Sequence, residues 1–245
     1  METEIYAKMY ANENKFWWHL GMRKIIIVLL DKYLFKKKDI KILDVGCGTG
    51  GMFSALSRYG QIWGIDKSAE AISYAKARNI AMEIKQGDAD KLPWADNTFA
   101  LAGCFDVLYH QWIKNDAAVL KEIYRVLAPG GALIIREASY DWLRSQHDQL
   151  VWTNHRFTKK ELVNKLRQTG FNVEKSSYVN FFLFPLALIK RLLEKIAPEK
   201  NPLKHTFSYN FLVNGVLAAF LYIEAGIIKY LNFPFGLSII CVAKK

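Results

Sequence analysis

Apolar positions along this chain switch repeatedly between helical and extended spacing. Residues 15–34 carry a long helical stripe. Short runs rich in Ile, Leu and Val follow, each bounded by Gly or Asp and each trailed by a helical stretch. The spacing predicts strands at 41–46, 61–66, 82–86, 99–104 and 132–137. It predicts helices at 52–59, 69–78 and 116–127, the last stopped by Pro129-Gly130-Gly131. Thr158, with Glu161 three residues on, forms a capping box for a helix through residue 168, which Gly170 ends. Strands at 171–178 and 237–243 complete the series. Strands alternating with helices make an α/β fold, a doubly wound Rossmann-like sheet covered on both faces.

The 58 residues between the last two strands are too many for a plain loop. They read as two helical stretches, 182–196 and 207–230, separated by Pro198 and Pro202. Asn210, Asn214, Glu224 and Lys229 interrupt the second, so an amphipathic lid is expected there and a membrane span is not. The organisation is therefore a single domain. It comprises an N-terminal helical cap (1–39), a ligand-binding core (40–178), a helical lid insertion (179–235) and a last strand (236–245).

Composition narrows the class. With 51% hydrophobic and 14% aromatic residues the chain is not disordered. Cys47, Cys104 and Cys241 are odd in number and lack metal or pair spacing, so neither a disulfide framework nor a metal site is expected. No signal peptide is readable in the polar start, and a reducing, cytoplasmic setting follows. The net charge is +11, from 34 Lys and Arg against 23 Asp and Glu. Residues 42–140 hold 10 basic and 11 acidic side chains and the flanks 24 and 12, so the excess lies outside the middle block. A basic exterior suits anionic partners such as nucleic acid, a membrane surface or a phosphorylated metabolite, or is simply a solvated face.

Candidate chemistry begins at Asp44-Val-Gly46-Cys47-Gly48-Thr-Gly50-Gly51, which follows a strand and opens a helix. Its glycines permit tight turns and close backbone approach, and a helix start offers free N–H groups. The run satisfies both G-x-G-x-G and G-x-G-x-x-G, so alone it does not separate a nucleoside from a dinucleotide. Its company does: Asp44, Asp66 and Asp88 each stand at a strand end. Asp66 is placed for ribose hydroxyls and Asp88 for an exocyclic amine of adenine, with Leu92 or Trp94 as an apolar wall. Asp44 would repel a pyrophosphate but attract a cation, and S-adenosylmethionine is a cationic nucleoside.

These residues, with Trp63-Gly-Ile-Asp-Lys-Ser68, Gly87-Asp-Ala-Asp-Lys-Leu-Pro-Trp94, Phe105-Asp-Val-Leu-Tyr-His110 and Leu120-Lys-Glu-Ile-Tyr-Arg-Val-Leu-Ala-Pro-Gly-Gly131, resemble the class I S-adenosylmethionine-dependent methyltransferases of the type 11 subgroup. The resemblance is close over 40–140. Weaker echoes lie upstream, in Asn14-Lys-Phe-Trp-Trp18 and Arg23, and downstream, in His147-Asp148 and Arg156-Phe-Thr158. It implies a seven-stranded sheet of order 3-2-1-4-5-7-6 with strand seven antiparallel. It also implies that Asp44, Gly46, Cys47, Gly48 and Gly50 line the methionine part of the cofactor, Asp66 and Lys67 the ribose, and Asp88 with Ala89 the adenine. Phe105 and Trp18 would stand beside the methionine end, and Arg23 would pair with its carboxylate. Tyr109 replaces a Glu found in many relatives.

Methyl transfer from a sulfonium is an in-line displacement that needs alignment and, for some acceptors, a base. Candidates at the ends of strands four and five are His110 and His147, followed by Tyr109 and Glu137. Tyr140, Trp142, His155, Phe182 and Phe211 are the candidate acceptor contacts. A lid rich in Phe, including Phe207, would favour a small apolar, aromatic or lipid-linked acceptor methylated at O, N or C. The same segment, 179–235, could instead serve as a dimer interface or a peripheral membrane contact, in a monomer or a homodimer. An RNA methyltransferase and a non-catalytic S-adenosylmethionine-binding regulator are the alternatives. A nucleic-acid partner ranks below a small molecule.

Overall fold

The expected alternation folds into one seven-stranded sheet of order β3-β2-β1-β4-β5-β7-β6. The computed structural model describes residues 3–34, 39–197 and 210–245. The strands are β1 (Ile40–Val45), β2 (Gly60–Asp66), β3 (Glu83–Gln86), β4 (Phe99–Phe105), β5 (Leu127–Ala138), β6 (Asn172–Val179) and β7 (Ser238–Lys244). The pairs from β3 to β5 are parallel, and β7 runs antiparallel to both β5 and β6. The carboxyl ends of β1, β2, β4, β5 and β6 therefore share one edge, where open α/β sheets bind ligands. Central strands are apolar on both faces, as Ile42, Leu43, Leu101, Ile134 and Ile135 show by being fully buried.

Helices cover both faces: α1 (Thr3–Asn12), α2 (Trp17–Tyr33), α3 (Phe53–Leu56), α4 (Ala69–Ala77), α5 (Asp116–Val126), α6 (Gln146–Leu150), α7 (Lys159–Thr169), α8 (Phe184–Ile196) and α9 (Phe211–Ile228). The Thr158–Glu161 capping box opens α7, and Gly170, at φ +108°, closes it. Ser68 and Asn115 cap α4 and α5 through their side chains.

Three expectations change. The polar start contains α1, whose buried Ile5 and Tyr6 dock it on the core. The helix expected at 52–59 shortens to α3 because Tyr59 turns the chain directly into β2. β5 begins five residues early, at Leu127: Pro129-Gly130-Gly131 does stop α5, but the backbone continues in extended form, with a register shift against β4. The Lys36-Lys37-Lys38 run, Pro198, Pro202, Phe207 and the start of the second expected helical stretch lie outside the described residues.

Within the insertion, α9 packs on α2. Gly21 makes the approach possible, since a Cβ there would stand 2.2 Å from Leu221 Cδ1. Glu224, fully buried on the inner face of α9, accepts the N–H groups of Asn180 (2.6 Å) and Phe181 (2.9 Å), which ties the exit of β6 to this helix. Asn214 accepts the Trp17 N–H and donates to the Lys15 carbonyl, both at 2.9 Å.

Candidate active site

A cavity of about 510 Å³ opens at the carboxyl ends of the strands, a size suited to a small organic ligand. Its floor is the loop between β1 and α3. Gly46 (φ +68°), Gly48 (+52°) and Gly50 (+76°) are all left-handed there. At Gly46 a Cβ would also come within 2.4 Å of Val107 Cγ2, so a side chain is excluded twice over. The loop is pinned by the Cys47 N–H on the Ile65 carbonyl (2.9 Å) and by the Gly48 N–H on Asp66 Oδ2 (2.8 Å).

The three strand-end acids behave differently. Asp44 is 2% exposed, and its Oδ1 has no hydrogen-bond partner among the described residues. Burial, and then the nearby Asp66 carboxylate, raise its carboxyl to about 8. Asp66 is partly buried and also accepts the Ser68 N–H through Oδ1 (2.9 Å), so it holds both the glycine loop and the start of α4. Asp88 is exposed at the cavity rim and pairs with Lys67 Nζ (2.6 Å). Ala89 and Phe105 line the wall near them. Leu92 and Trp94 do not: Leu92 is buried in the core and Trp94 packs edge-on against Phe99.

The N-terminal segment forms the opposite wall. Arg23 lines the cavity, but its guanidinium is engaged by the Glu13 carbonyl, Asn14 Oδ1 (2.8 Å) and the Gly51 carbonyl (3.5 Å). Glu13, 3% exposed, binds Thr49 Oγ1 and the Arg78 guanidinium, clamping the glycine loop from above. Arg136, at the end of β5, lies between the Asp106 carboxylate and the face of Trp18, 4.7 Å from the ring centroid. Sequence reading missed Glu13 and Arg136. A charged pair ending an otherwise apolar strand, Ile134-Ile135-Arg136-Glu137, was the one available signal for the latter.

At the far end the cavity passes between the β4 exit, α6 and α8. Tyr109, His110 and His147 line it. His110 Nδ1 accepts the Trp112 N–H (3.2 Å), and burial pushes its imidazole down to about 4. His147 keeps accessible surface on the cavity but is closely surrounded by protein, and burial pushes it to about 4 as well. Both rings are therefore neutral at pH 7. Arg156 and Asp148 form a buried bidentate pair there (2.7 and 3.0 Å). The pair holds the Asp148 carboxyl below the usual range despite burial. Arg191 and Lys190 reach in from α8. Arg191 donates to the Leu143 carbonyl, and burial lowers its guanidinium to about 10.

Several expected residues stand elsewhere. Glu137 is fully buried beneath the loop after β4, and its carboxylate accepts the N–H groups of Val107 (3.2 Å), Leu108 (2.9 Å) and Tyr109 (3.2 Å). It is a loop clamp outside the cavity, not a base within it. Tyr140 stacks on Tyr178 at 5.1 Å, and Trp142 is exposed beside it. His155 is held between Asp141 (2.9 Å) and Glu161 (2.9 Å). Phe182 and Phe211 face outward, Phe211 with 87% exposure. None of these five lines the cavity. The face of α8 that does is polar, with Lys190, Arg191 and Glu194 around Ala187, so among the described residues of the insertion the expected aromatic closure is not seen.

Residues 43–135 match the methyltransferase domain family. The chain is 32% identical over 126 residues to a malonyl-[acyl-carrier protein] O-methyltransferase of Erwinia billingiae, covering 51% of this chain and 49% of that one. It is 34% identical over 111 residues to a ubiquinone/menaquinone biosynthesis C-methyltransferase of Neisseria gonorrhoeae, covering 42% and 44%. The chain thus spans about half the length of these curated relatives. An S-adenosylmethionine-dependent methyltransferase structure from Mesorhizobium loti superposes with a TM-score of 0.59 at 17% identity, covering 89% of this chain and 96% of that one. The family match covers residues 43–135, and the seven-stranded sheet with antiparallel β7 is a Rossmann-like methyltransferase fold.

Proposed function

We propose that this protein transfers a methyl group from S-adenosylmethionine to a small-molecule acceptor carrying an anionic group. The observation that carries the reading is Asp44, buried at the glycine loop on the lining of a cavity at the strand ends, with Oδ1 lacking a partner among the described residues. A buried carboxylate oxygen of that kind calls for a donor, and an ammonium meets the need. The left-handed glycines leave the loop backbone open to close approach, so the residues present fit the cofactor. Asp44, Gly46, Cys47 and Gly48 would hold its methionine part, Asp66 with Lys67 its ribose, and Asp88 with Ala89 its adenine. Phe105 and Trp18 would flank the methionine end. Arg23 and Arg136 supply positive charge for the carboxylate, with Arg23 also bracing the loop.

When bound, the cofactor would supply an electrophilic methyl on sulfur to the acceptor's nucleophile. The chain's own residues then have three tasks. They align the acceptor. They keep bulk water from the far end of the cavity. They take a proton where the nucleophile carries one, and neutral His110 and His147 are each able to do so. Arg191 and Lys190 provide the cationic end that anchors the acceptor, while Ile113, Leu150 and Val151 give it an apolar wall.

Calorimetric titration with S-adenosylmethionine and with NAD tests the cofactor. Incubation with a methyl-labelled cofactor and a host extract, separated into organic, small-molecule and RNA fractions, tests the acceptor. Label in an anionic small molecule, with Arg191→Ala raising the acceptor KM but not the cofactor Kd, is the expected result. Label confined to RNA, or a folded protein that binds no S-adenosylmethionine, refutes the proposal.

A further inference from the structure

The outer surfaces of α8 and α9 are apolar and uncovered among the described residues. On α8, Leu186, Ile189, Leu193 and Ile196 recur at helical spacing, each more than half exposed, opposite the polar face that lines the cavity. On α9, Leu212, Val216 and Ile223 form a second exposed stripe, with Phe211 at its start. Phe182 and Phe220, with ring centroids 6.5 Å apart, join the two helices at one edge. Soluble monomers rarely expose large apolar patches that serve no interaction.

Among the described residues, the exposed charge on this segment is basic. Lys195 is exposed in the last turn of α8, and Lys229 caps the end of α9. The segment's two described acids are withdrawn: Glu224 is fully buried, and Glu194 turns into the cavity with a side chain only 15% exposed. A second copy of this chain meeting the surface face to face would bring like charges together. An anionic bilayer would not. α9 is long and apolar enough to cross a membrane, but it is fixed along its inner side by Leu221 against Gly21, by Glu224 and by Asn214. Only its outer face is free, and that geometry belongs to a helix lying in the interface.

We infer that the outer faces of α8 and α9 dock this protein on the surface of an anionic lipid bilayer. The inference stands on the surface alone and does not depend on the methyl-transfer reading. Were that reading also to hold, α8 would sit between bilayer and cavity, its apolar side in the lipid and Arg191 toward the acceptor.

Vesicle co-sedimentation of the full chain tests it. Phosphatidylcholine vesicles containing 30 mol% phosphatidylglycerol should bind the protein, and pure phosphatidylcholine should bind it at least tenfold more weakly. Each lysine near an anionic surface strengthens binding about fivefold, so Lys195→Glu should weaken it by roughly that factor or more. Ile189→Glu with Leu193→Glu should abolish binding with the melting temperature unchanged, since both side chains are exposed. Should that double variant fail to fold, wild-type binding must still fall steeply in 0.5 M salt. Equal binding to both vesicle types, or no vesicle binding together with a dimer that Ile189→Glu and Leu193→Glu dissociates, overturns the inference. So does a monomer that binds neither vesicle.

Discussion

Asp44 couples cofactor binding to proton release, and the structure sets the size of the effect. Burial raises its carboxyl to about 8, so without ligand only about one molecule in ten is ionised at pH 7 and about one in a hundred at pH 6. A cationic ligand selects the ionised form. The observed affinity for S-adenosylmethionine should therefore rise about tenfold per pH unit from 6 to 7 and flatten near 8, with close to one proton released at pH 6.5. At pH 6 the cost of ionising Asp44 is about 2.7 kcal/mol, two units at 1.36 each. That nearly cancels the ~1.5–3 kcal/mol that a charge-assisted hydrogen bond contributes. Asp44→Asn should consequently bind almost as well as wild type at pH 6 and about 10- to 100-fold more weakly at pH 8. Calorimetry in two buffers of different ionisation enthalpy reads both quantities. Wild-type affinity that is flat between pH 6 and 8, or a pH slope that persists in Asp44→Asn, would refute the assignment. The sign for folding is opposite. The folded pKa lies above the unfolded one, so the ligand-free protein loses stability as pH rises toward 8, and Asp44→Asn should melt higher than wild type there.

Three further outcomes follow. His110 and His147 titrate near 4, so a methyl transfer that uses either as base should be flat in rate from about pH 6 to 8 and fall below about 5. The alanine variant of the base should lose about 10²- to 10⁴-fold in turnover with the cofactor Kd unchanged, and full rate in both variants removes them from the mechanism. Glu137→Ala leaves three buried N–H groups without their acceptor and should lower stability by about 1–3 kcal/mol in chemical denaturation. An unchanged midpoint rules out the clamp. Gly21→Ala forces a methyl to within 2.4 Å of Leu221 Cβ as well as 2.2 Å of its Cδ1 and should cost about 1–3 kcal/mol in chemical denaturation, and an unchanged midpoint rules out the close approach.

What was legible in the sequence was what local chemistry determines. Strand and helix periods, the capping box at Thr158 and the glycine loop each depend on residues a few positions apart, and the sheet order followed from the resemblance those motifs carry. The misses share a different cause. Glu13 acts on Thr49 and Arg78, far along the chain, and α1 has too weak an apolar stripe to announce itself. Tyr140 and Trp142, just beyond β5, and His155, in the loop before α7, are drawn into contacts with Tyr178, Phe184, Asp141 and Glu161 that no spacing rule foretells.

The acceptor contacts expected of the insertion, Phe182 and Phe211, stand off the cavity for the opposite reason, a sound rule applied where it fails. Apolar faces of helices ordinarily turn inward, so Phe182 and Phe211 were expected to close over an acceptor. α8 instead turns Lys190, Arg191 and Glu194 inward and Leu186, Ile189, Leu193 and Ile196 outward. An inverted helix is costly for a protein surrounded by water: each exposed Leu or Ile forgoes about 1.5–3 kcal/mol of burial. Two conditions make the inversion stable: a cavity that needs charge on its wall and an apolar medium on the other side. The first is visible in Arg191 facing the cavity, and the second is what the proposed docking of α8 and α9 on a bilayer supplies.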